Sequence, residues 1–316
     1  MTVDGVVIGI DTSNYTTSLG IISEDGRLIA NLKRPLAVRE GERGLRQSDA
    51  VFSHVKNIPS LMEEAREYLV DKKILAVGVS TRPRNKEGSY MPCFLSGLAA
   101  AKSIALSCGA PVYEFSHQCG HIMAALYSSS ATELLKSDFA AFHLSGGTTE
   151  LLKVRSAGQG FDCEIVGGTL DINAGQVVDR IGVMLGLSFP AGKALEELAL
   201  SYQGKPASRK IKLSNGYVNL SGLENIASSM LKRGCSRNEI AAFVFDTLGK
   251  TIANISADFI EKEGNIPLVF VGGVMSNSII RRHLVKRGLN CYFAESELSK
   301  DNAVGIAALA LSAHKK

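Results

Sequence analysis

The alternation of apolar and polar positions divides the chain into short strands and longer helices. Runs of β-branched and other apolar residues, bounded by Gly, Asn, Asp or Ser, predict strands. The predicted strands cover residues 6–10, 18–23, 28–32, 75–80, 112–115, 139–144, 150–155, 267–271 and 290–293. Apolar residues at helical spacing predict helices at residues 49–68, 94–108, 179–187, 192–202, 223–233, 236–263, 277–287 and 302–314. Strands and helices that alternate in this way are typical of an α/β protein.

One arrangement of strand, small polar turn and returning strand occurs twice. Ile10-Asp-Thr-Ser-Asn-Tyr-Thr-Thr-Ser opens the first half, and Leu144-Ser-Gly-Gly-Thr-Thr-Glu follows about 135 residues later. Because this period is too long for a solenoid, the sequence predicts a duplicated α/β fold of the actin, Hsp70 and sugar-kinase class, with a ligand-binding cleft between two lobes. The expected lobes are residues 1–120 and 121–301, and the final helix, 302–316, is expected to pack back on the first lobe.

Composition and charge narrow the class of protein. The chain has 316 residues, of which 45% are hydrophobic and 21% charged, as expected for a globular protein. The net charge of +4 permits a polyanionic partner without requiring one. Six scattered cysteines without a CxxC pair indicate reduced thiols and therefore a cytoplasmic protein. No stretch has the length and apolar character of a signal peptide or a membrane span, so no membrane partner is expected.

The segment His117-Gln-Cys-Gly-His121 is the first candidate for chemistry. On a helix, residues four apart share a face, so two imidazoles could bind one transition metal ion. The pair follows a predicted strand, at the end of the sheet where α/β proteins bind ligands. No Glu follows His117, which disfavours an HExxH metalloprotease. Asp301 could supply a third ligand, or it could cap the final helix.

Three further segments could bind an anion or a nucleotide. Small residues in Ser145-Gly-Gly-Thr-Thr allow backbone N–H groups to approach a phosphate, or they form only a hairpin turn. Asp171 and Asp179, in a Gly-rich stretch that opens a helix, could accept hydrogen bonds from ribose hydroxyls or complement the helix N-terminus. A strand that ends in Gly272-Gly273 before Asn277 could support an adenosine group. Pro190-Ala-Gly192 could be no more than a bend between helices.

Together these motifs resemble the TsaD family of tRNA threonylcarbamoyladenosine synthases, once called O-sialoglycoprotein endopeptidases. Ile8-Gly-Ile-Asp-Thr-Ser is similar to the family's GIETS, and His117-Gln-Cys-Gly-His121 is similar to HxxGH. The other resemblances are His54-Val-Lys to HVR, Leu144-Ser-Gly-Gly-Thr-Thr to VSGGHT, the stretch 167–179 to GETxDDAAGExFD, Leu185-Gly-Leu-Ser-Phe-Pro-Ala-Gly192 to LGLxYPGG, Ser221-Gly-Leu to FSGLKT, Gly272-Gly-Val-Met-Ser-Asn277 to GGVxxN, and Asp301-Asn302 to the terminal DN.

The resemblance implies an acyltransferase and a role for each matched position. It implies transfer of the threonylcarbamoyl group of threonylcarbamoyl-adenylate to the adenosine beside the anticodon of tRNA, assisted by one divalent metal, iron or zinc. It also implies partner subunits of the TsaB and TsaE type, or a homodimer. The implied metal ligands are His117, His121 and Asp301. The expected substrate and nucleotide contacts are His143, Leu144, Ser145, Gly146, Gly147, Asp179, Gly192, Gly272, Gly273 and Asn277. The catalytic residues are left unassigned, with Asp11, Ser145 and Asp171 as candidates.

The chain departs from the family pattern at several of these positions. Gly168, Ile172, Asn173 and Gln176 replace Glu, Asp, Ala and Glu, and Glu224 stands where the family has a lysine. A charged segment at residues 81–89 replaces the family's glycine loop. These changes leave open a divergent paralogue with another, carbamoyl-type acceptor, or a non-catalytic partner subunit. The basic residues that could contact tRNA are Lys33, Arg34, Arg82, Arg84, Lys86, Lys205, Arg209, Lys210 and Lys212.

Overall fold

A computed structural model describes residues 4–13, 15–37, 45–158, 160–295, 298 and 303–316. The strands are β1 (Gly5–Ser13), β2 (Thr16–Ser23), β3 (Leu28–Pro35), β4 (Lys73–Arg82), β5 (Val112–Ser116), β6 (Phe139–Leu144), β7 (Thr149–Ala157), β8 (Gly160–Thr169), β9 (Tyr217–Val218), β10 (Leu268–Val271) and β11 (Cys291–Phe293). The helices are α1 (Gln47–Leu69), α2 (Phe94–Cys108), α3 (His117–Ser128), α4 (Ala174–Met184), α5 (Gly192–Leu200), α6 (Gly222–Lys232), α7 (Arg237–Glu263), α8 (Ser278–Lys286) and α9 (Ala303–His314). None of the helices in these ranges is long and apolar enough to cross a membrane.

The chain forms two compact units. The first contains residues 1–132, 156–162 and 297–316, and the second contains residues 133–155 and 163–296. Helix α9 therefore belongs to the first unit, although it is the last element of the chain.

The two units repeat one sheet topology. The first sheet has the strand order β3-β2-β1-β4-β5, and the second has β11-β10-β6-β7-β8-β9. In both, a central strand pairs antiparallel with the strand that follows it and parallel with a later one: β1 with β2 and β4, and β6 with β7 and β10. This repeat confirms the predicted duplicated α/β fold. The small strand β9 extends the second sheet beyond β8.

Helices cover both faces of the first sheet, which explains the uninterrupted apolar sequence of β1 over residues 5–10. Val6, Ile8 and Ile10 form a core with buried alanines of α1 and α2. On the other face, Gly9 lies against the backbone of α9 at Ala303. A central strand buried on both faces has no need for alternating polar residues.

The second unit is built around α7, most of which is buried. Its apolar residues share one core with α4, α5, α6 and α8 and with the strands β6 and β10. Phe142 of β6 stacks on Phe270 of β10, which in turn stacks on Phe293 of β11. The parallel strands β6, β10 and β11 are therefore packed together through these aromatic side chains, and the loops that follow β6 and β10 extend from them.

Helix α3 and strands β8 and β9 are not among the predicted elements, and helix α4 begins earlier than predicted. The sequence pattern does not predict strand β8, because its exposed Asp162, Glu164 and Ile165 break the apolar alternation that indicates a strand. Helix α4 begins at Ala174 rather than at residue 179. The Gln176 side chain accepts the backbone N–H of Asn173 at 3.0 Å, and this cap starts the helix five residues earlier.

Candidate functional site

The two histidines of HQCGH lie in the first two turns of α3. Ser116, the last residue of β5, accepts the backbone N–H of Cys119 at 3.2 Å and so starts the helix at His117. His117 and His121 are one turn apart, with ring centroids separated by 4.7 Å. The structure thus brings together the two imidazoles as their spacing predicts.

A buried carboxylate orients the first of these histidines. Asp11 of β1 is only 2% exposed, and its Oδ1 lies 3.1 Å from His117 Nδ1. The Ser80 hydroxyl donates to the same oxygen. Burial acts to raise the pKa of Asp11, but the nearby His117 and hydrogen bonds from His117, Ser80 and Ser13 lower it to about 2. When a carboxylate accepts from Nδ1, Nε2 is the imidazole nitrogen that can bind a metal.

The donor set of the first unit fits a transition metal. Two imidazoles on one helix face, one of them held by a carboxylate, are a common arrangement for iron, zinc and related ions. Asp301, the third expected ligand, lies outside the described residues. Within the described ranges, no group of three or more His, Cys, Asp or Glu side chains is arranged to hold a metal ion.

His54 supports the same part of the first unit. It is fully buried, and its Nδ1 lies 2.9 Å from the hydroxyl of Thr17, which also accepts from Asn57 Nδ2 at 3.1 Å. Burial lowers the pKa of His54, which favours the neutral form of the ring. Thr17 pairs with Thr12 across the β1–β2 hairpin. His54 therefore fixes the end of the hairpin that carries Asp11.

In the second unit, the turn after β6 is closed by its own serine. The hydroxyl of Ser145 accepts the N–H groups of Gly147 at 3.3 Å and Thr148 at 3.1 Å. Its carbonyl accepts the N–H of Gly175, in the first turn of α4, at 3.1 Å. Gly146 is exposed between these contacts. The turn is thus a preformed, open loop against a helix N-terminus, an arrangement suited to an anion.

The end of β10 lies beside this turn. Gly272 has a φ of 101° and lies against the Leu144 carbonyl, where an added Cβ would also come within 3.1 Å of the His143 ring. Only glycine adopts this conformation so close to neighbouring backbone. His143, Leu144 and Gly272 are therefore neighbours, as expected for parts of one site.

Asn277 is the residue that caps the N-terminus of helix α8, and only one of the two polar atoms of its side chain is used in the cap. Its Oδ1 accepts the N–H groups of Ile279 at 3.1 Å and Ile280 at 3.0 Å. Asn277 is 5% exposed, and within the described part of the chain its buried Nδ2 has no hydrogen-bond partner. The side chain is thus a helix cap with an unsatisfied donor.

The first aspartate of the Gly-rich stretch, Asp171, holds backbone segments together. It accepts the N–H groups of Leu220 at 2.8 Å, Ile172 at 2.7 Å and Ser221 at 2.9 Å. Burial acts to raise the pKa of Asp171, but a hydrogen bond from the Ser221 side chain, together with those from the backbone N–H groups, lowers it well below its usual range. A carboxylate so strongly stabilised in its ionised form is a poor general base.

The second aspartate, Asp179, lies within α4 and not at its beginning as the sequence predicts. Its Oδ1 accepts the N–H of Ala191 at 2.8 Å, directly before Gly192. These two predicted nucleotide contacts are therefore joined to each other through the α4–α5 connection.

The departures from the family pattern are accommodated by the local backbone. Gly168 has a φ of 143° and lies against the Thr149 carbonyl. The side chain of a glutamate at this position would clash with that carbonyl, and the backbone conformation favours glycine. Gln176 caps α4, as described above. Glu224 forms an ion pair with Arg180 at 3.3 Å. These substitutions form a consistent local structure.

Asn85 fixes the altered segment 81–89, a role that the sequence does not suggest. Its Oδ1 accepts from the Arg82 guanidinium at 2.8 and 3.1 Å, and its Nδ2 donates to the Phe161 carbonyl at 2.7 Å. The Pro83 carbonyl accepts the N–H of Gln118 at 3.0 Å. The segment is thus attached to the first turn of the helix that carries His117.

Comparisons with known proteins agree with this arrangement of motifs. The family model described as "TsaD: tRNA N6-adenosine threonylcarbamoyltransferase" matches residues 38–308. A tRNA N6-adenosine threonylcarbamoyltransferase from Thermus thermophilus is 30% identical over 314 residues, which cover 98% of this chain and 93% of the relative. A protein of the same name from Streptococcus pneumoniae is 29% identical over 328 residues, covering 99% and 94% of the two chains.

Solved structures of low identity share the fold alone. Full-length HypF superposes with a TM-score of 0.59 at 15% identity, over 99% of this chain and 46% of HypF. Component A of (R)-2-hydroxyglutaryl-CoA dehydratase from Acidaminococcus fermentans gives 0.56 at 17% identity, over 98% and 99% of the chains. A ROK family glucokinase from Streptomyces griseus gives 0.53 at 14% identity, over 97% and 99%. The fold is therefore that of the sugar-kinase class, and the near full-length sequence match shows that the chain belongs to the TsaD family of tRNA N6-adenosine threonylcarbamoyltransferases.

Proposed function

We propose that the chain transfers a threonylcarbamoyl group from threonylcarbamoyl-adenylate to N6 of the adenosine beside the anticodon of a tRNA. The observation that carries the proposal is the family match over residues 38–308, with the two histidines of α3 together on one helix turn. In the reaction the N6 amine forms a bond to the carbamoyl carbon, the bond from that carbon to the phosphate oxygen breaks, AMP leaves, and one proton is released.

The residues of the first unit would bind the metal. His117 and His121, with Asp301 as the third ligand, would hold one divalent ion, iron or zinc, which would supply a Lewis acid at this site. Asp11 is a positioning residue, because its carboxylate holds the His117 ring at 3.1 Å. Ser80 and the β1–β2 hairpin hold Asp11 in turn.

The residues of the second unit would bind the adenylate. The exposed backbone of Gly146, in the turn that the Ser145 hydroxyl closes, would contact the phosphate. The backbone at Gly272 and Gly273, which carry no side chain, would support the adenosine, and the unsatisfied Nδ2 of Asn277 would be a donor for it. Asp179 and Gly192, joined through Ala191, would complete the nucleotide contacts.

A partner subunit, or a second copy of the chain, would cover α1 and α2. These two helices pack together and expose large apolar side chains: Phe52 is 71% exposed, Val55 57%, Leu95 51% and Leu106 84%. Such a surface is typical of a protein interface. Phe52→Glu with Leu106→Glu should abolish association in gel filtration or co-purification, whereas Leu231→Glu on α6 should not.

A second candidate function is transfer to a different acceptor. It is favoured by the loss of charge at Gly168 and Gln176 and by the ion pair between Glu224 and Arg180, at positions where the family carries other charges. The ligand chemistry of the two units would be kept, and only the acceptor would change.

One experiment separates the two candidates. The purified chain is incubated with threonylcarbamoyl-adenylate, a divalent metal and an unmodified tRNA, with and without family partner subunits, and the modified nucleoside is measured by mass spectrometry. Product that disappears in a His117→Ala, His121→Ala variant supports the proposed transfer. No product in any combination, from protein that binds metal and adenylate, contradicts transfer to tRNA and favours the second candidate.

A further inference from the structure

Two segments of the second unit carry several basic residues and no acidic residue. No Asp or Glu occurs between Glu197 and Glu224, or between Glu263 and Glu295. Each of these segments carries four Lys or Arg residues, although the whole chain has a net charge of only +4. The basic residues are Lys205, Arg209, Lys210 and Lys212 in the first segment and Arg281, Arg282, Lys286 and Arg287 in the second.

The fold joins these two segments on one turn of α7. Asp246 Oδ1 lies 3.0 Å from His283 Nε2 of α8, and its Oδ2 lies 2.7 Å from Lys250 Nζ. Lys250 Nζ also donates to the hydroxyl of Ser208 at 2.7 Å. Between them, the backbone N–H of Arg209 donates to the Thr247 hydroxyl at 3.1 Å. The loop of the first segment and helix α8 are therefore neighbours on the same helix.

Most of the basic residues of this region are exposed to solvent, and Lys250 is paired with Asp246. Lys210, Lys212, Lys250, Lys286 and Arg287 are all exposed. We call this set, with Arg209 and Arg282, the α7–α8 basic surface. Two carboxylates near this surface have partners: Asp246 contacts His283 and Lys250, and Glu196 accepts from Ser278 at the start of α8.

The shape of α8 favours a polyanion over a membrane. Ile280 and Leu284 are fully buried in the core of the unit, so the apolar side of the helix is not free to enter a bilayer. Val285 is 63% exposed, but one aliphatic side chain gives little anchoring. The α7–α8 basic surface therefore presents exposed cations beside a helix that is packed into the core. Such a cluster of cations is typical of a protein that contacts nucleic-acid phosphates.

We propose that the α7–α8 basic surface binds the phosphate backbone of RNA. The inference rests on the proposed function, because the RNA it would hold is the tRNA acceptor. The groups that define the surface are cations, which contact phosphates rather than base edges, so it would position the RNA without selecting its sequence. It would contribute affinity that falls steeply with salt concentration.

The test is direct binding of an unmodified tRNA transcript, measured by fluorescence anisotropy at several salt concentrations. In a Lys210→Glu, Lys286→Glu variant we expect the Kd to rise at least about tenfold, and the slope of log Kd against log salt to fall by about two, near one per lost contact. The matched control is Lys102→Glu, Lys232→Glu, which changes the net charge equally at exposed helix positions outside the surface. Equal Tm values show that both variants are folded.

The outcomes decide between the possible partners. An unchanged Kd and slope in the surface variant, or an equal loss in the control, would overturn the proposal. So would a surface variant that loses binding to phosphatidylserine vesicles but keeps its affinity for tRNA. A variant with raised KM for tRNA and unchanged kcat in the transfer assay supports it.

Failure of the proposed function gives a different result. If the wild-type chain binds tRNA through this surface but forms no modified nucleoside, the proposal of an RNA-binding surface is supported and the proposal of transfer to tRNA is contradicted. If transfer occurs with the same KM for tRNA in the wild type and in the surface variant, the proposal of transfer is supported and the proposal of an RNA-binding surface is contradicted.

Discussion

The Asp11 carboxylate lies 3.1 Å from Nδ1 of His117, although the two residues are 106 positions apart in the chain. The relationship assigns Asp11 a role in positioning, because it fixes which nitrogen of the imidazole can bind a metal. It also explains why a carboxylate follows the apolar residues 5–10 in the same strand. Burial of an ionised group without such partners would be strongly unfavourable.

Replacing Asp11 with Asn should weaken metal binding. The amide can still contact the imidazole, but it removes the charge that fixes its tautomer, and changes of this type reduce metal affinity by about 10- to 100-fold. The affinity is measured by competition with a coloured chelator for zinc or ferrous iron. Asp25→Asn, in the exposed turn after β2, is the control and should leave the affinity unchanged. Equal affinities for wild type and Asp11→Asn would contradict the positioning role.

Replacing Asp171 with Asn should reduce stability in a pH-dependent way. The pKa of Asp171 in the folded protein is below its ordinary value of 3.8, so its stabilising effect is complete above that pH and is lost as the pH falls through the lower folded value. Because the side chain is exposed, screening by solvent limits the effect, and we expect a loss on the order of 1 kcal/mol at pH 7. Urea unfolding from pH 7 to pH 3 measures it.

The same series contains its own check. The difference in unfolding free energy between wild type and Asp171→Asn should shrink below about pH 4, where the wild-type carboxylate begins to bind a proton in the unfolded state. Asp162→Asn, at an exposed position of β8, should show no such difference. If the difference in unfolding free energy between wild type and Asp171→Asn stays constant over this pH range, the charge of Asp171 is not the source of its stabilising effect.

Two substitutions of Asn277 should separate its structural role from its ligand role. Asn277→Asp keeps the Oδ1 acceptor for Ile279 and Ile280 but replaces the buried Nδ2 donor with a second carboxylate oxygen, so adenylate affinity should fall. The helix N-terminus favours a negative charge and offsets part of the cost of burying it, so the cap is retained. Asn277→Ala removes the cap as well, at a cost of about 1 kcal/mol of stability. Calorimetric titration with an adenylate analogue and thermal unfolding give both readouts. If Asn277→Asp binds the analogue as the wild type does, Asn277 is only a cap.

Replacing Gly175 with Ala should disturb the Ser145 turn. A Cβ at Gly175 would lie 2.6 Å from Gly146 N and 2.7 Å from the Ser145 carbonyl, and both neighbours are backbone that cannot move aside easily. We expect the nucleotide affinity to fall with the turn displaced, and the unfolding free energy to drop by about 1–3 kcal/mol. Gly222→Ala is the matched control, because its Cβ would meet open space at the start of α6. Unaltered nucleotide binding in Gly175→Ala would show that the turn does not contact the ligand.

Much of the fold can be predicted because its signals are local. The sequence predicts helix α2 with its observed ends, and β6 likewise, since each has a clear apolar period and a definite boundary. Strand β8 escapes prediction because its stability comes from pairing within the sheet, while its exposed Asp162 and Glu164 weaken the pattern. The predicted start of α4 is wrong because the capping residues Asn173 and Gln176 outweigh the apolar pattern.

The candidate site likewise has a part that the sequence predicts and a part that it does not. The pairing of His117 with His121 follows from helical geometry, which the sequence spacing states directly. The partners of Asp11, Asp171 and Asp179 cannot be read from the sequence, because each carboxylate contacts residues brought near by the path of the chain. The sequence makes all three aspartates candidates for chemistry or ligand binding, and in the structure each holds a histidine ring or a backbone segment.

The sequence by itself determined the repeated α/β fold, the family and the two imidazoles of α3, since these depend on periodicity and on short ordered motifs. Only the tertiary structure decided which carboxylate orients His117, and only it joined the loop of Ser208 to α8 through Lys250 and Asp246. The physical reason is the range of the interactions. Local pattern fixes what a segment becomes, whereas ion pairs and hydrogen bonds between distant segments form only after sheets and helices have brought those segments together.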